Sequence, residues 1–407
     1  MIYTPHLTPI KQLFMNIPVQ NCSSCAACTN VCARNAISMQ LNAEGFYRPV
    51  IDAEKCVKCG ACELACPWNR PVENPNVADV SPKTLAAYAK DKSIRLQSSS
   101  GGIFTVLAER ILDDGGVVVG VAQTAPTRFG HIVVDNKADL AKLRGSKYVQ
   151  ANVGLVYREV RNQLKAGRKV LFSGTPCQVA GLYAVLGKAA SADLFTIDIV
   201  CHGTPSVKAF EKYVRELEKE QLALVESSRF RDKRMGWRLF SMTSSLNTIS
   251  GDCFQFSKTL REDKFMRVFL QNICLNSSCA DCHYGKLPRI ADITLGDYWN
   301  IAKVHPQMDD NKGTSVVLLN TEHGKALFES VAGKIAQCDS KVEYAIAGNP
   351  CIVRSSTPHP KRSEFFANLD KYTLDQLIKM YCPYPSPLMR VYIRVRSLIG
   401  RIKRKIV

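Results

Sequence analysis

Eight cysteines near the N-terminus constrain this chain more than any other feature. Cys22, Cys25, Cys28 and Cys32 form a C-x2-C-x2-C-x3-C run; Cys56, Cys59, Cys62 and Cys66 repeat it, and Pro67 follows. Three thiolates two residues apart wrap a compact loop around three corners of an iron–sulfur cubane. The fourth, on the short helix that follows, points at the other cubane. The expected sets are Cys22, Cys25 and Cys28 with Cys66, and Cys56, Cys59 and Cys62 with Cys32. Two [4Fe-4S] clusters so close together make a path for single electrons. Structural zinc is the competing reading, but it usually takes two separated C-x2-C pairs, and two full four-cysteine runs suit it poorly.

Seventeen cysteines occur in 407 residues. The stretch Met1 to Asn16 lacks the basic start and apolar centre of a signal peptide, so the expected location is the cytoplasm. There, clustered thiols hold metal more often than they form disulfides. A composition of 46% hydrophobic and 22% charged residues is globular and excludes wholesale disorder. The length allows two or three domains, and no apolar run is long enough to span a bilayer. Lys and Arg number 54 against 36 Asp and Glu, a formal charge of +18. Each cluster with its four thiolates carries about −2 and offsets part of this excess. A dinucleotide diphosphate would offset more, so nucleic acid is not the expected partner. Over about residues 15–70 the chain resembles the bacterial two-[4Fe-4S] ferredoxin domain, with Ala33 in place of the proline expected after Cys32.

Residues 67–83 hold four prolines and read as an extended connector. Beyond them the pattern alternates. Helical spacing over Ile103–Leu112, Val153–Leu164 and Pro176–Leu186 is interleaved with strands over Gly116–Val121, Lys169–Phe172 and Leu194–Val200. Such alternation implies βαβ units. The expected fold is an α/β body with a mainly parallel sheet, preceded by a small α+β ferredoxin-like two-cluster domain.

Three loops of the body carry chemistry. Gln97-Ser98-Ser99-Ser100-Gly101-Gly102, before the helix near Ile103, suits a phosphate; a Ser-rich N-cap without ligand is the alternative. Arg144-Gly145-Ser146-Lys147-Tyr148-Val149-Gln150 could hold a diphosphate and cover a flat heterocycle, or be an ordinary basic turn. Ser173-Gly174-Thr175-Pro176-Cys177-Gln178 and Cys201-His202-Gly203 each follow a strand. If those strands pair in parallel, Cys177 and Cys201 emerge on one rim, where open α/β sheets bind ligands. Downstream, Cys274, Cys279 and Cys282 have the C-x4-C-x2-C spacing of part of a plant-type [2Fe-2S] site. The preferred reading joins Cys279 and Cys282 to Cys177 and Cys201 in a third [4Fe-4S] site. Cys274 is then spare on the helix expected over Leu260–Ile273, and zinc is the alternative. Cys253, Cys338, Cys351 and Cys382 read as core or surface thiols.

Six strings, in order, are Ser98–Gly102 (SSSGG), Arg144–Gln150 (RGSKYVQ), Gly174–Gln178 (GTPCQ), Asp198–Gly203 (DIVCHG), Ser278–Cys282 (SCADC) and Ala291–Trp299 (ADITLGDYW). Together they resemble the family of the coenzyme F420 hydrogenase/dehydrogenase beta subunit, over roughly residues 83–330. On that resemblance the chain divides into a two-cluster domain (1–70), a linker (71–83), the family's N-terminal-type region (84–160), its C-terminal-type region (161–335), an extension (336–387) and a basic tail (388–407). The resemblance implies FAD beside iron–sulfur centres. It places Ser99, Ser100, Gly101, Gly102, Arg144, Gly145, Ser146, Lys147 and Tyr148 around the flavin, with the later cysteines holding the flavin-proximal cluster.

The expected activity is that of an iron–sulfur flavoprotein oxidoreductase, since a flavin couples one-electron carriers to hydride acceptors. Its partners would be a redox protein and an organic hydride donor or acceptor, F420 or another. Lys147 is a candidate for stabilising charge on reduced flavin, with diphosphate contact alone or plain solvation as the alternatives. His202 is a candidate proton carrier, or a hydrogen-bonded helix-start histidine. Asp297 is a candidate for flavin or substrate contact, or a turn residue. A non-catalytic electron-transfer subunit of a larger redox or polysaccharide-biosynthesis-associated complex is the alternative. Residues 388–407 carry seven Lys or Arg and no acid, with apolar residues from Leu388 to Ile406 at helical spacing. That is a basic amphipathic helix for the inner membrane face, or for packing against protein.

Overall fold

The computed structural model describes residues 19–74, 76–77, 81–187, 190 and 192–384. The basic tail 388–407 lies outside them. The N-terminal unit is small: β1 (Ile37–Leu41) pairs antiparallel with β2 (Tyr47–Ile51), beside the short helices Ala27–Val31 and Ala61–Leu64.

The body is built on one eight-stranded sheet. Its strands are β3 (Lys83–Ala89), β4 (Val117–Ala125), β5 (Arg128–Val134), β6 (Val170–Gly174), β7 (Leu194–Ile199), β11 (Ile293–Asp297), β12 (Ser315–Leu319) and β13 (Ile335–Ser340), in the order β13-β3-β12-β11-β7-β6-β4-β5. The strands between, β8 (Ala223–Asp232), β9 (Ser241–Thr248) and β10 (Cys253–Thr259), form a separate antiparallel sheet.

Only β4, β6, β7 and β11 are parallel neighbours. The expectation of a mainly parallel sheet therefore holds for the centre, and the sheet as a whole is mixed. A tight two-residue hairpin through Pro126 and Thr127 returns the chain antiparallel into β5, and so short a connection cannot make a parallel crossover. On the other side β12, β3 and β13 join antiparallel.

The central strands are apolar on both faces, as strands covered on both sides must be. Val118, Leu171, Ile197 and Ile293 pack with the helix Ile103–Asp113. Val117, Val119, Val170 and Phe172 pack on the opposite face with the helices Val156–Lys165 and Pro176–Leu186. A further core joins the helix Val207–Gln221 to the three-stranded sheet through Phe210, Phe230 and Phe265. The helix expected over Leu260–Ile273 is shorter, Lys264–Leu270, because Asp263 caps it by accepting from the Met266 amide. Among the described residues, no helix is long and apolar enough to cross a membrane.

The N-terminal unit is tied to the body by polar contacts. Tyr47 N donates to Gln150 Oε1 at 2.7 Å, and Arg158 donates to the carbonyls of Thr29, Asn30 and Cys32.

Candidate functional site

Parallel pairing sets the carboxyl ends of β6 and β7 on one rim, with Gly174 opposite Asp198. Past β6, Thr175 and Gln178 form a reciprocal cap, which starts the helix Pro176–Leu186 and places Cys177 in its first turn. Cys201 follows β7. Cys279 lies in the turn Ser277–Asp281, and Cys282 closes it. The four thiols line one cavity of about 50 Å³, together with Trp68, His202, His283 and Cys351.

Burial is the main cause that pushes the Cys177 thiol up to about 12, and Cys282 and Cys279 add to it. Cys279 is raised to about 11 by burial, with Cys282 adding. Cys201 is also raised well above the usual thiol range, by burial and then by Cys279, Cys177 and Cys282. Thiolates packed this closely need a compensating positive centre, and iron in a cluster core provides one. Polar groups also reach the sulfurs: Thr204 N donates to Cys279 Sγ at 3.3 Å, and Thr175 Oγ1 lies 3.2 Å from Cys177 Sγ. This donor set fits an iron–sulfur group. Cys274 stands apart, buried beside Cys382 and raised to about 12 by burial and by that neighbour. The fold therefore gathers Cys279 and Cys282 with the rim cysteines and leaves Cys274 in the core, against the C-x4-C-x2-C reading.

In the N-terminal unit, burial raises Cys28 to about 12, with Cys22 and Cys66 adding. Cys25 is raised by burial, then by Cys22, with smaller contributions from Cys28 and Cys177. Cys66 thus stands with the first run, as the crossed pattern requires. Ser24 N donates to Cys22 Sγ at 3.3 Å. Cys32 packs against Cys28, Ile37 and Cys62, and Cys59 lies near Cys62. Cys59 is exposed; Cys56 enters this set by spacing alone. Among the described residues, no three His, Cys, Asp or Glu side chains converge as a lone metal ion would need.

The first set is packed directly on the helix that carries Cys177. A Cβ at Gly181 would stand 3.0 Å from Cys25 Cβ and 3.1 Å from its carbonyl oxygen. Only the missing side chain allows this approach.

A cleft of about 610 Å³ opens on the same rim, within the range of cofactor and substrate sites. Ser99, Ser100, Gly102, Arg144, Gly145, Ser146, Lys147 and Tyr148 line it, as do His202 and Asp297. The helix Ile103–Asp113 begins at its wall with Gly102 left-handed at the N-cap and no side-chain cap. Its first amides are therefore free to meet an anion. With apolar walls from Val121, Ile199, Phe240 and Phe269, these residues fit a flat ring bearing a diphosphate.

Gly101 does not line the cleft. Its amide donates to Ser315 Oγ at 3.0 Å, and a Cβ would stand 2.5 Å from the Ala87 carbonyl oxygen. Lys147 donates to the carbonyls of Lys142, Leu143 and Arg144, so it ties down the end of the short helix Leu140–Leu143. Burial lowers it to about 7, although three acceptors match the three donors of the ammonium. His202 Nε2 meets Asn272 Oδ1 at 2.6 Å, and its Nδ1 is 3.9 Å from Cys351 Sγ.

Asp297 is held by Arg231 at 2.7 and 3.1 Å and by Trp237 Nε1 at 2.7 Å. Sequence reasoning missed Arg231. From β8 it also donates to Tyr148 OH at 3.1 Å and Ser99 O at 3.2 Å, joining the Ser98–Gly102 and Arg144–Gln150 loops to Asp297 at the end of β11. The sequence carries no signal for it; its burial beside Phe230 and Asp232 is visible only in the fold.

The profile of the coenzyme F420 hydrogenase/dehydrogenase beta subunit matches the chain in two parts, its N-terminal region at residues 84–156 and its C terminus at 167–340, together more than half of the chain. A 4Fe-4S dicluster domain matches residues 21–70. An uncharacterised protein of Methanocaldococcus jannaschii is 26% identical over 190 residues, 40% of this chain and 52% of its own. A component of the F(420)H(2) dehydrogenase of Methanosarcina mazei is 21% identical over 189 residues, 44% of this chain and 53% of its own. The chain thus spans about half the length of these relatives. A chain of the solved F420-reducing [NiFe] hydrogenase complex from Methanosarcina barkeri superposes with a TM-score of 0.45 at 16% identity, covering 76% of this chain and 94% of that one.

Proposed function

The chain belongs to the family of the coenzyme F420 hydrogenase/dehydrogenase beta subunit, and from that premise we propose that it is an iron–sulfur flavoprotein oxidoreductase. It passes electrons between [4Fe-4S] clusters and FAD and exchanges hydride with an organic substrate. The observation that supports this most is continuity. Cys25 of the first thiol set lies against the helix of Cys177, and Cys201 and His202 line both the thiol cavity and the cleft.

Cys22, Cys25, Cys28 and Cys66 hold one cluster, and Cys32, Cys56, Cys59 and Cys62 a second. Cys177, Cys201, Cys279 and Cys282 hold a third. Ser99, Ser100, Gly102, Arg144, Gly145, Ser146 and Tyr148 hold FAD, with Gly101 shaping the loop from behind. Bound there, the flavin supplies the conversion between one-electron and hydride chemistry.

The chain's own residues prepare that site. Free amides of the helix at Ile103, with Arg144, receive the phosphates. Lys147 fixes the Arg144–Tyr148 loop, and its charge acts from there. Asp297 is committed to Arg231 and Trp237, so it positions Ser99 and Tyr148 through Arg231 rather than meeting substrate. His202, on the wall shared with the thiol cavity, carries the proton in this reading. The apolar walls exclude water.

A second reading, an electron-transfer subunit that docks on a larger complex, is favoured by the exposed Cys59 flanked by Val57 and Leu64, 61% and 55% exposed. An anaerobic screen tests the choice. The holoprotein, reduced at its flavin, is offered F420, a quinone and nucleotide sugars. Flavin reoxidation with matching acceptor reduction supports the oxidoreductase. Inertness to all of them, with electron transfer to a carrier protein, supports the second reading.

A further inference from the structure

We propose that His283 is a positioning residue that tunes the third cluster, donating a hydrogen bond from Nδ1 to one of its sulfurs, with its ring held in place by Trp68. The inference rests on the reading that Cys177, Cys201, Cys279 and Cys282 hold a cluster.

Three observations carry it. His283 follows Cys282 in sequence and lines the cavity that the four thiols share. Its Nδ1 is buried and meets no hydrogen-bond partner among the described residues, although buried polar atoms are almost always paired. Its ring stacks on Trp68, with centroids 4.1 Å apart and planes inclined by 19°.

The stack is anchored on both sides. Trp68 follows Pro67, whose carbonyl accepts from Tyr284 OH at 3.3 Å, and the Val72 amide donates to the same hydroxyl at 3.1 Å. Tyr284 is the residue after His283, so the segment after Cys66 and the segment after Cys282 are clamped together. The imidazole cannot turn away without losing the stack. An N–H held against a cluster sulfur strengthens when the core gains an electron, so it favours the reduced state and raises the reduction potential. No step beyond this bond is required.

The test is an anaerobic redox titration of the reconstituted full chain, followed by electron paramagnetic resonance, with iron content measured in parallel. His283→Phe keeps a ring to stack on Trp68 and removes the donor. The midpoint of the third cluster should fall, while the two N-terminal midpoints and the iron content stay at wild-type values. Trp68→Leu should shift the same midpoint in the same direction, and His283→Gln, which retains an N–H, should restore part of it. An unchanged third midpoint in His283→Phe at full iron content overturns the proposal. Wild-type protein with iron for only two clusters overturns the third site itself, and the iron analysis tells that failure from the first.

Discussion

Arg231→Met is the most informative perturbation of the cleft. The guanidinium is 3% exposed and its partner Asp297 15% exposed, so solvent screens the pair little. Its two nitrogens bond both carboxylate oxygens as well as Ser99 O and Tyr148 OH. Removing one member of a buried pair costs about 3–5 kcal/mol, because the other charge is left uncompensated. Asp297 keeps its bond from Trp237 Nε1, so the lower end, about 3 kcal/mol, is expected. The loss falls on the loops that Arg231 joins. At about 1.4 kcal/mol per factor of ten, the opening equilibrium of residues 98–102 and 144–150 should rise roughly 100-fold. Hydrogen exchange with mass spectrometry reads that opening peptide by peptide and needs no two-state unfolding, which a metal-loaded protein does not offer. Bound flavin should fall in parallel. Arg231→Lys should not rescue, since an ammonium lacks the planar fork. Adding Asp297→Asn to Arg231→Met should recover much of the protection, because the orphaned charge is gone. Wild-type protection of both loops in Arg231→Met, or a double variant no better than the single one, would show that the Arg231–Asp297 pair does not hold these loops.

Other outcomes follow from the same geometry. Cys177→Ser should lose about four of about twelve iron atoms and keep the N-terminal pair of clusters; full iron content would show the third site misassigned. Gly181→Val should cost about 1–3 kcal/mol by overpacking against Cys25, seen as faster loss of iron from the first cluster on chelator challenge. Asp263, raised by burial to about 6 despite accepting from the Met266 amide and Tyr213 OH, sets a pH dependence. Its folded pKa lies above its unfolded value, so the stability linked to its proton is complete below about pH 4 and is lost as pH rises through about 6. At 1.36 kcal/mol for each pH step the loss is roughly 3 kcal/mol. Asp263→Asn should flatten, between pH 4 and 7, the hydrogen-exchange protection of residues 264–270 after correction for intrinsic exchange, and an unchanged slope would exclude this role.

What the sequence disclosed was local. Strand–loop–helix periodicity located β6, the helix Pro176–Leu186 and β7, and their parallel pairing brought Cys177 and Cys201 to one rim. Cysteine spacing made the 4Fe-4S dicluster domain legible at residues 21–70, because most ligands of such a domain come from short consecutive runs. What stayed hidden depended on distant pairing. β3, β12 and β13 come from separate parts of the chain, and no short-range period records their antiparallel association. Arg231 acts on the cleft from β8, outside the main sheet, and only the folded arrangement shows a strand cation bonded to Ser99, Tyr148 and Asp297. Gly101 enters the flavin set through the family resemblance, whereas its close packing on Ala87 explains the glycine. For Lys147 the sequence leaves flavin, diphosphate and solvent open, and its three carbonyl partners appear only once the turn is formed.

Whether three iron–sulfur clusters and one flavin share this polypeptide is decided by anaerobic purification or reconstitution, followed by iron, acid-labile sulfide and extracted-flavin analysis. About twelve iron and twelve sulfide with one FAD per chain are expected. Iron and sulfide at that level without flavin, or zinc without sulfide, would contradict that composition.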